Sequence, residues 1–194
     1  MGVEFALQTA QNFFNFKKGM VINVKHTNRT KIREMTLLGL LTSLALFLSY
    51  VEAVLPPILT VAPGIKLGFP NILIIFILYR MGTVRAAAVS FVRILLVSLL
   101  FGTFLSFLYS LAGAVLSLTA MAIMKKTDLF STVSVSIAGG VLHNLGQILV
   151  AVILLKTPQI AYYVIVLSAT GIAAGLFIGL CGALLIKRVN FGRK

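Results

Sequence analysis

The chain has 194 residues, 59% of them hydrophobic, with a mean hydropathy of +1.06, four acidic residues and a formal net charge of +13. One soluble domain of this size could not bury that much apolar surface, so the composition excludes an ordinary soluble enzyme fold and places the chain in a bilayer. Cys181 is the sole cysteine and there are two histidines, which excludes an internal disulfide and a typical zinc site. No metal and no cofactor is expected.

In chain order, residues 1–34 are a basic segment in which the aromatic stretch "FALQTAQNFFNFKKGMVINV" is followed by the polar "KHTNRTKIRE". Two readings stand for it: a stretch lying on the inner membrane surface against anionic lipid, or a flexible, disordered one. A cleaved signal peptide is not expected, because the basic residues run directly into a full-length apolar span with no small-residue cleavage site after it. Met20 is a second candidate start. Residues 35–188 form one all-α integral membrane domain, with apolar spans at 36–55, 67–79, 84–100, 105–124, 133–155 and 161–186, and residues 189–194 are a short tail. Helices are the natural solution, since backbone amides in hydrocarbon must be paired within their own segment. The second span is short and begins after Pro56, Pro57, Pro63, Gly64, Gly68 and Pro70, so a full crossing and a re-entrant segment compete.

Charge decides between them. With six crossings and a cytoplasmic N-terminus, every lysine and arginine except Lys66, Lys156 and Arg93 falls on the inner side, as the positive-inside rule expects. A re-entrant second segment would carry Lys125 and Lys126 outside. The expectation is therefore a multi-pass cell-membrane protein with six transmembrane helices and both termini cytoplasmic. Its basic charge is explained by orientation, without nucleic acid as a partner.

Four features then stand out. Arg93 lies near the middle of the third span, where insertion scales charge about 2.5–3.5 kcal/mol, so it should face protein or water. An ion pair with Glu52, the one acid in any span, and an anionic ligand are both open as its partner. In "GGVLHNLGQ" a 100° step per residue sets Gly140, His143, Asn144 and Gln147 within about a 100° arc. That stripe suits either recognition of a polar ligand or hydrogen bonding between helices. In "APGIKLGFPN" Lys66 is expected outside, and Asn71 follows Pro70 at the mouth of the second span, where backbone amides could meet an anion. Taken together, Glu52, Lys66, Asn71, Arg93, His143, Asn144 and Gln147 are expected to line one outward-facing ligand pocket. Small residues at four-residue spacing, Gly39 with Ser43, Ala45 with Ser49, and the run Gly171, Gly175, Gly179, read as helix-packing seams, within the protein or against a membrane partner.

The ordered series "APGIKLGFPNI", "FVRILLVSLLFG", "SFLYSLAGAVLSL" and "GGVLHNLGQ" resembles the small bacterial membrane family called Gx transporters, also named heptaprenyl diphosphate synthase component I, over about residues 35–188. The resemblance implies a six-helix bundle similar to the substrate-binding S components of energy-coupling-factor transporters. Those capture vitamins or related small molecules and work with a membrane coupling subunit and a separate ATPase. In that group the first helix commonly meets the coupling subunit through small residues. Gly39, Ser43, Ala45 and Ser49 are the positions available here, and an Ala-xxx-Ala pair is missing. The synthase name implies instead a non-catalytic membrane accessory to a soluble prenyl synthase. Neither reading makes the chain itself an enzyme. It has one aspartate, Asp128, where prenyl transfer needs aspartate clusters to hold magnesium, and it has no Walker-type Gly-rich loop.

Overall fold

The computed structural model describes residues 2–54, 68–156 and 162–189, and among them all regular structure is helical. Six helices follow in order: α1 (Gly2–Val54), α2 (Asn71–Met81), α3 (Thr83–Phe101), α4 (Phe104–Lys126), α5 (Thr132–Leu155) and α6 (Val164–Arg188). The chain divides into two compact units, residues 1–40 and 41–194. In the first, the helix of α1 is continuous from Gly2, and the side chains from Lys31 to Thr36 are exposed. The second holds the last turns of α1 and all five other helices.

Five helical stretches have the length and apolarity to cross a membrane: Lys31–Val54 within α1, and α3, α4, α5 and α6. The chain is thus a multi-pass, all-helical membrane protein. The span expected at 67–79 is corrected in length, because its helix alone is too short to cross. Its helix, α2, has 11 residues, and at 1.5 Å per residue it covers about 17 Å against roughly 30 Å of hydrocarbon. Its apolarity has another cause. Leu73, Ile74, Ile75, Phe76, Ile77 and Leu78 are all buried, so every side of the helix faces protein.

Two cations fasten the C-terminal end of α2. Arg80 Nη2 donates to the carbonyls of Ile186 and Val189 at the end of α6, the latter at 2.9 Å, and Lys125 Nζ of α4 donates to Leu78 O at 2.6 Å. Positive groups there satisfy carbonyls that a helix end leaves open. Arg80, Lys125, Lys126, Lys187 and Arg188 thereby collect at one end of this unit. Gly82, at φ +101°, turns the chain into α3 with a single residue between the helices.

α5 is the spine. Against α4, a Cβ at Gly146 would lie 2.8 Å from Ala112 O, and one at Gly113 would lie 2.7 Å from His143 O. Against α6, a Cβ at Gly175 would lie 2.6 Å from Ile137 Cα, and one at Gly179 would lie 2.8 Å from Val133 Cα. Gly140 and Gly171 face each other as closely. The run Gly171, Gly175, Gly179 is therefore an internal seam, as small residues permit in lipid, where close packing replaces the hydrophobic drive between helices. The two small pairs of α1 part company. Ala45 and Ser49 are buried within the chain, whereas Gly39 and Ser43 are exposed. One 100° step per residue turns the second pair well away from the first, so the four do not form a single partner-facing seam.

Substituting Gly175→Val should separate α5 from α6 and lower the melting temperature of the detergent-solubilised protein by about 5 °C or more, from ~1–3 kcal/mol of overpacking. Gly39→Ala, where a Cβ meets open space, should leave it unchanged in the same thermal scan.

Candidate functional site

The seams on α5 decide where its polar residues point. Gly139 and Gly146 face α4 and Gly140 faces α6, and at 100° per residue His143 and Gln147 fall between these two directions, with Asn144 about 40° beyond Gly140 on the α6 side. They face the space bounded by α4 and α6, and there two adjoining clefts meet. The first is lined by Gly68, Asn71, Ser90, Arg93, His143 and Asn144, among others. The second includes Glu52, Asn71, Arg93, His143, Asn144 and Gln147. Six of the seven side chains expected at one pocket are thus brought to one place. The seventh, Lys66, lies outside the described residues, as does most of the Gly/Pro-rich connection before α2.

Arg93 sits at the boundary of the two clefts, about midway along α3 and so about 15 Å from either end of the helix. Its Nη2 donates to Asn71 Oδ1 over a long 3.4 Å, and its Nε is buried with no hydrogen-bond partner among the described residues. The expected ion pair with Glu52 takes another form. Glu52 acts on the guanidinium through its charge, while Glu52 Oε1 accepts a hydrogen bond from the Gly68 amide. A buried guanidinium donor without an acceptor is costly, and a bidentate anion is the group whose geometry matches it.

Gly68 holds this corner. At φ +77° it occupies backbone space that other residues enter with strain, and a Cβ there would lie 3.0 Å from Ile178 Cδ1 and 3.1 Å from Asn71 Nδ2. The turn that Gly68 begins also overturns one expectation. The amides at the start of α2 are not open to an anion, because Asn71 N donates to Gly68 O at 2.8 Å, Ile72 N to Phe69 O and Leu73 N to Pro70 O. What α2 brings to the site is the Asn71 side chain and the positive end of its dipole.

The α5 stripe divides its work. Asn144 Nδ2 donates to Leu167 O of α6 at 2.6 Å, which is hydrogen bonding between helices. Gln147 Nε2 lies 3.2 Å from His143 Nε2. As placed, the amide nitrogen donates and the imidazole nitrogen accepts. Ser98, Ser110, Ser117 and Ser136 also line the clefts without having been singled out in the sequence, and Ser49, expected as a packing residue, lines the second cleft. A usable signal was present. Ser136 precedes Gly140 and His143 by four and seven residues, and Ser110 precedes Ser117 by seven, so each pair shares a helical face.

The family model described as heptaprenyl diphosphate synthase component I matches residues 41–185. The chain belongs to that family. No curated protein and no solved structure matches it. The matched stretch starts with the second compact unit and contains every residue of both clefts. The family's printed description names a synthase, and a prenyl-transfer centre needs magnesium held by several carboxylate oxygens. The residues here do not fit that ion, because Asp128 is the only aspartate and sits in the turn between α4 and α5, away from Glu52 and the clefts.

Gly68→Ala should cost ~1–3 kcal/mol of backbone strain and displace Asn71 from Arg93. A lowered melting temperature, with restoration of the site's ligand response only when glycine is returned, is the expected outcome.

Proposed function

We propose that the chain is the membrane-embedded binding component of an uptake system for a small molecule carrying an anionic group. The observation that carries this reading is the buried Arg93 Nε, without a hydrogen-bond partner among the described residues, at the meeting of two clefts that also hold Glu52, Asn71, His143 and Gln147. The anion takes the guanidinium, and the imidazole and amides bond to polar atoms on the remainder of the ligand. The chain captures and does no chemistry. The energy for transport comes from a separate ATPase through a membrane coupling subunit, since the sequence has no phosphate-binding loop of its own. The clefts open to the outside and the end bearing Arg80, Lys125 and Lys187 faces the cytoplasm, in keeping with the positive-inside rule.

A second reading is favoured by the family description: a non-catalytic membrane subunit that partners a soluble prenyl diphosphate synthase. In it the same clefts hold the anionic end of the synthase's substrate or product.

The two readings separate in one preparation. Transport predicts that one small anionic metabolite from a broad library raises the melting temperature of the purified protein, and that Arg93→Ala weakens its binding by tenfold or more, since a charge-assisted hydrogen bond contributes ~1.5–3 kcal/mol. Accessory action predicts co-purification with a soluble prenyl synthase whose product chain length changes when this chain is removed. A library without any stabilising anion would count against the transport reading.

A further inference from the structure

A third cleft lies between α3 and α4, and its chemistry differs from the other two. Its outer lips, Ala87 and Phe91 on α3 and Val115 on α4, are exposed and apolar, and it runs along α3 from Ile94 to Thr83, a length of about 17 Å. Its inner wall is shared with the first polar cleft through Ser90, Ala114 and Leu118. Ser90 and Ala114 are small and buried, so at that point only a hydroxymethyl and a methyl stand between the apolar groove and the polar interior. Ser90 is one helical turn from Arg93. A groove that merely took up bulk lipid would need no such thin wall behind it, and the wall lies beside the buried guanidinium whose Nε has no hydrogen-bond partner among the described residues.

We propose that the groove is the tail channel for a single-chain anionic amphiphile that enters sideways from the bilayer between α3 and α4. Its phosphate-like head rests on Arg93 and its hydrocarbon chain lies along Ala87, Phe91 and Val115. The two chemistries of one ligand then match two joined compartments: charge with the guanidinium, and hydrocarbon with a surface that faces hydrocarbon. The proposal rests on the reading of the inner clefts as an anion site and names the class of molecule that fills them.

The test uses the full chain in phosphatidylcholine nanodiscs with dodecyl phosphate bearing a photoreactive diazirine at the chain end. The expected result is light-dependent labelling of α3 and α4 at residues 83–94 and 111–119, reduced at least fivefold by excess unlabelled dodecyl phosphate and by Arg93→Ala. Ala114→Phe, which fills the thin wall, should reduce labelling to the same degree. Ala87→Phe on the exposed outer lip supplies the same test without touching the buried wall. Labelling spread over all lipid-facing helices and indifferent to Arg93→Ala means bulk lipid only and overturns the proposal. Groove labelling unchanged by both Ala114→Phe and Ala87→Phe overturns it too. If inorganic diphosphate stabilises the wild type through Arg93 but the groove is not labelled, the tail channel fails alone. If diphosphate has no effect on the wild type and Arg93→Ala changes nothing, the anion site fails with it.

Discussion

Close backbone contact along α5 governs the site. In lipid, helices gain little from excluding water from one another, so their association depends on how near their backbones come. Gly113 and Gly146 bring α4 against α5 on one side, and Gly140, Gly171, Gly175 and Gly179 bring α6 against it on the other. With both flanks fixed, the helix has no rotational freedom left, and the arc between the seams has to hold whatever side chains the sequence places there. His143 and Gln147 in that arc, and Asn144 at its α6 edge, are polar for that reason: their surroundings are protein groups and a cleft, with lipid kept away by the neighbouring helices.

α2 is the complementary constraint. A helix about half as long as the membrane is thick, enclosed on every side and fastened at its basic end by Arg80 and Lys125, has its other end deep inside the protein. The interior space beside Asn71 and Arg93 is created by that shortness. A full-length helix in its place would fill the position of the clefts with more apolar side chains. The fold thus contributes a polar chamber within the membrane by stopping one helix early, at Pro70 and the left-handed Gly68.

Much of this was legible in the sequence, and the reasons for the rest are physical. Long apolar runs announced α3 to α6, a mid-span arginine announced a cleft, and 100° steps grouped the α5 stripe. Hydropathy could not tell whether α2 meets lipid or protein, because both favour Leu, Ile and Phe, and the reading of 67–79 as a crossing rests on the placement of Lys125 and Lys126. Most of the serines carry no signal of their own because a helical serine often spends its hydroxyl on the carbonyl four residues back, the geometry that Ser49 shows with Ala45 O. Only its position on a shared face marks one as lining a cavity. The amides at the start of α2 looked available from the Gly/Pro pattern, but the turn that such a pattern forms uses them itself.

The α2–α3 hairpin works as a ruler. Asn71 and Arg93 lie eleven positions to either side of Gly82, and the one-residue bend leaves no slack with which a longer or shorter arm could be absorbed. Adding or deleting one residue anywhere between Thr83 and Arg93 would swing the guanidinium by about 100° and out of register with its amide neighbour. Arm length, more than the identity of the intervening apolar residues, is therefore the property of this hairpin that sequence drift can least alter.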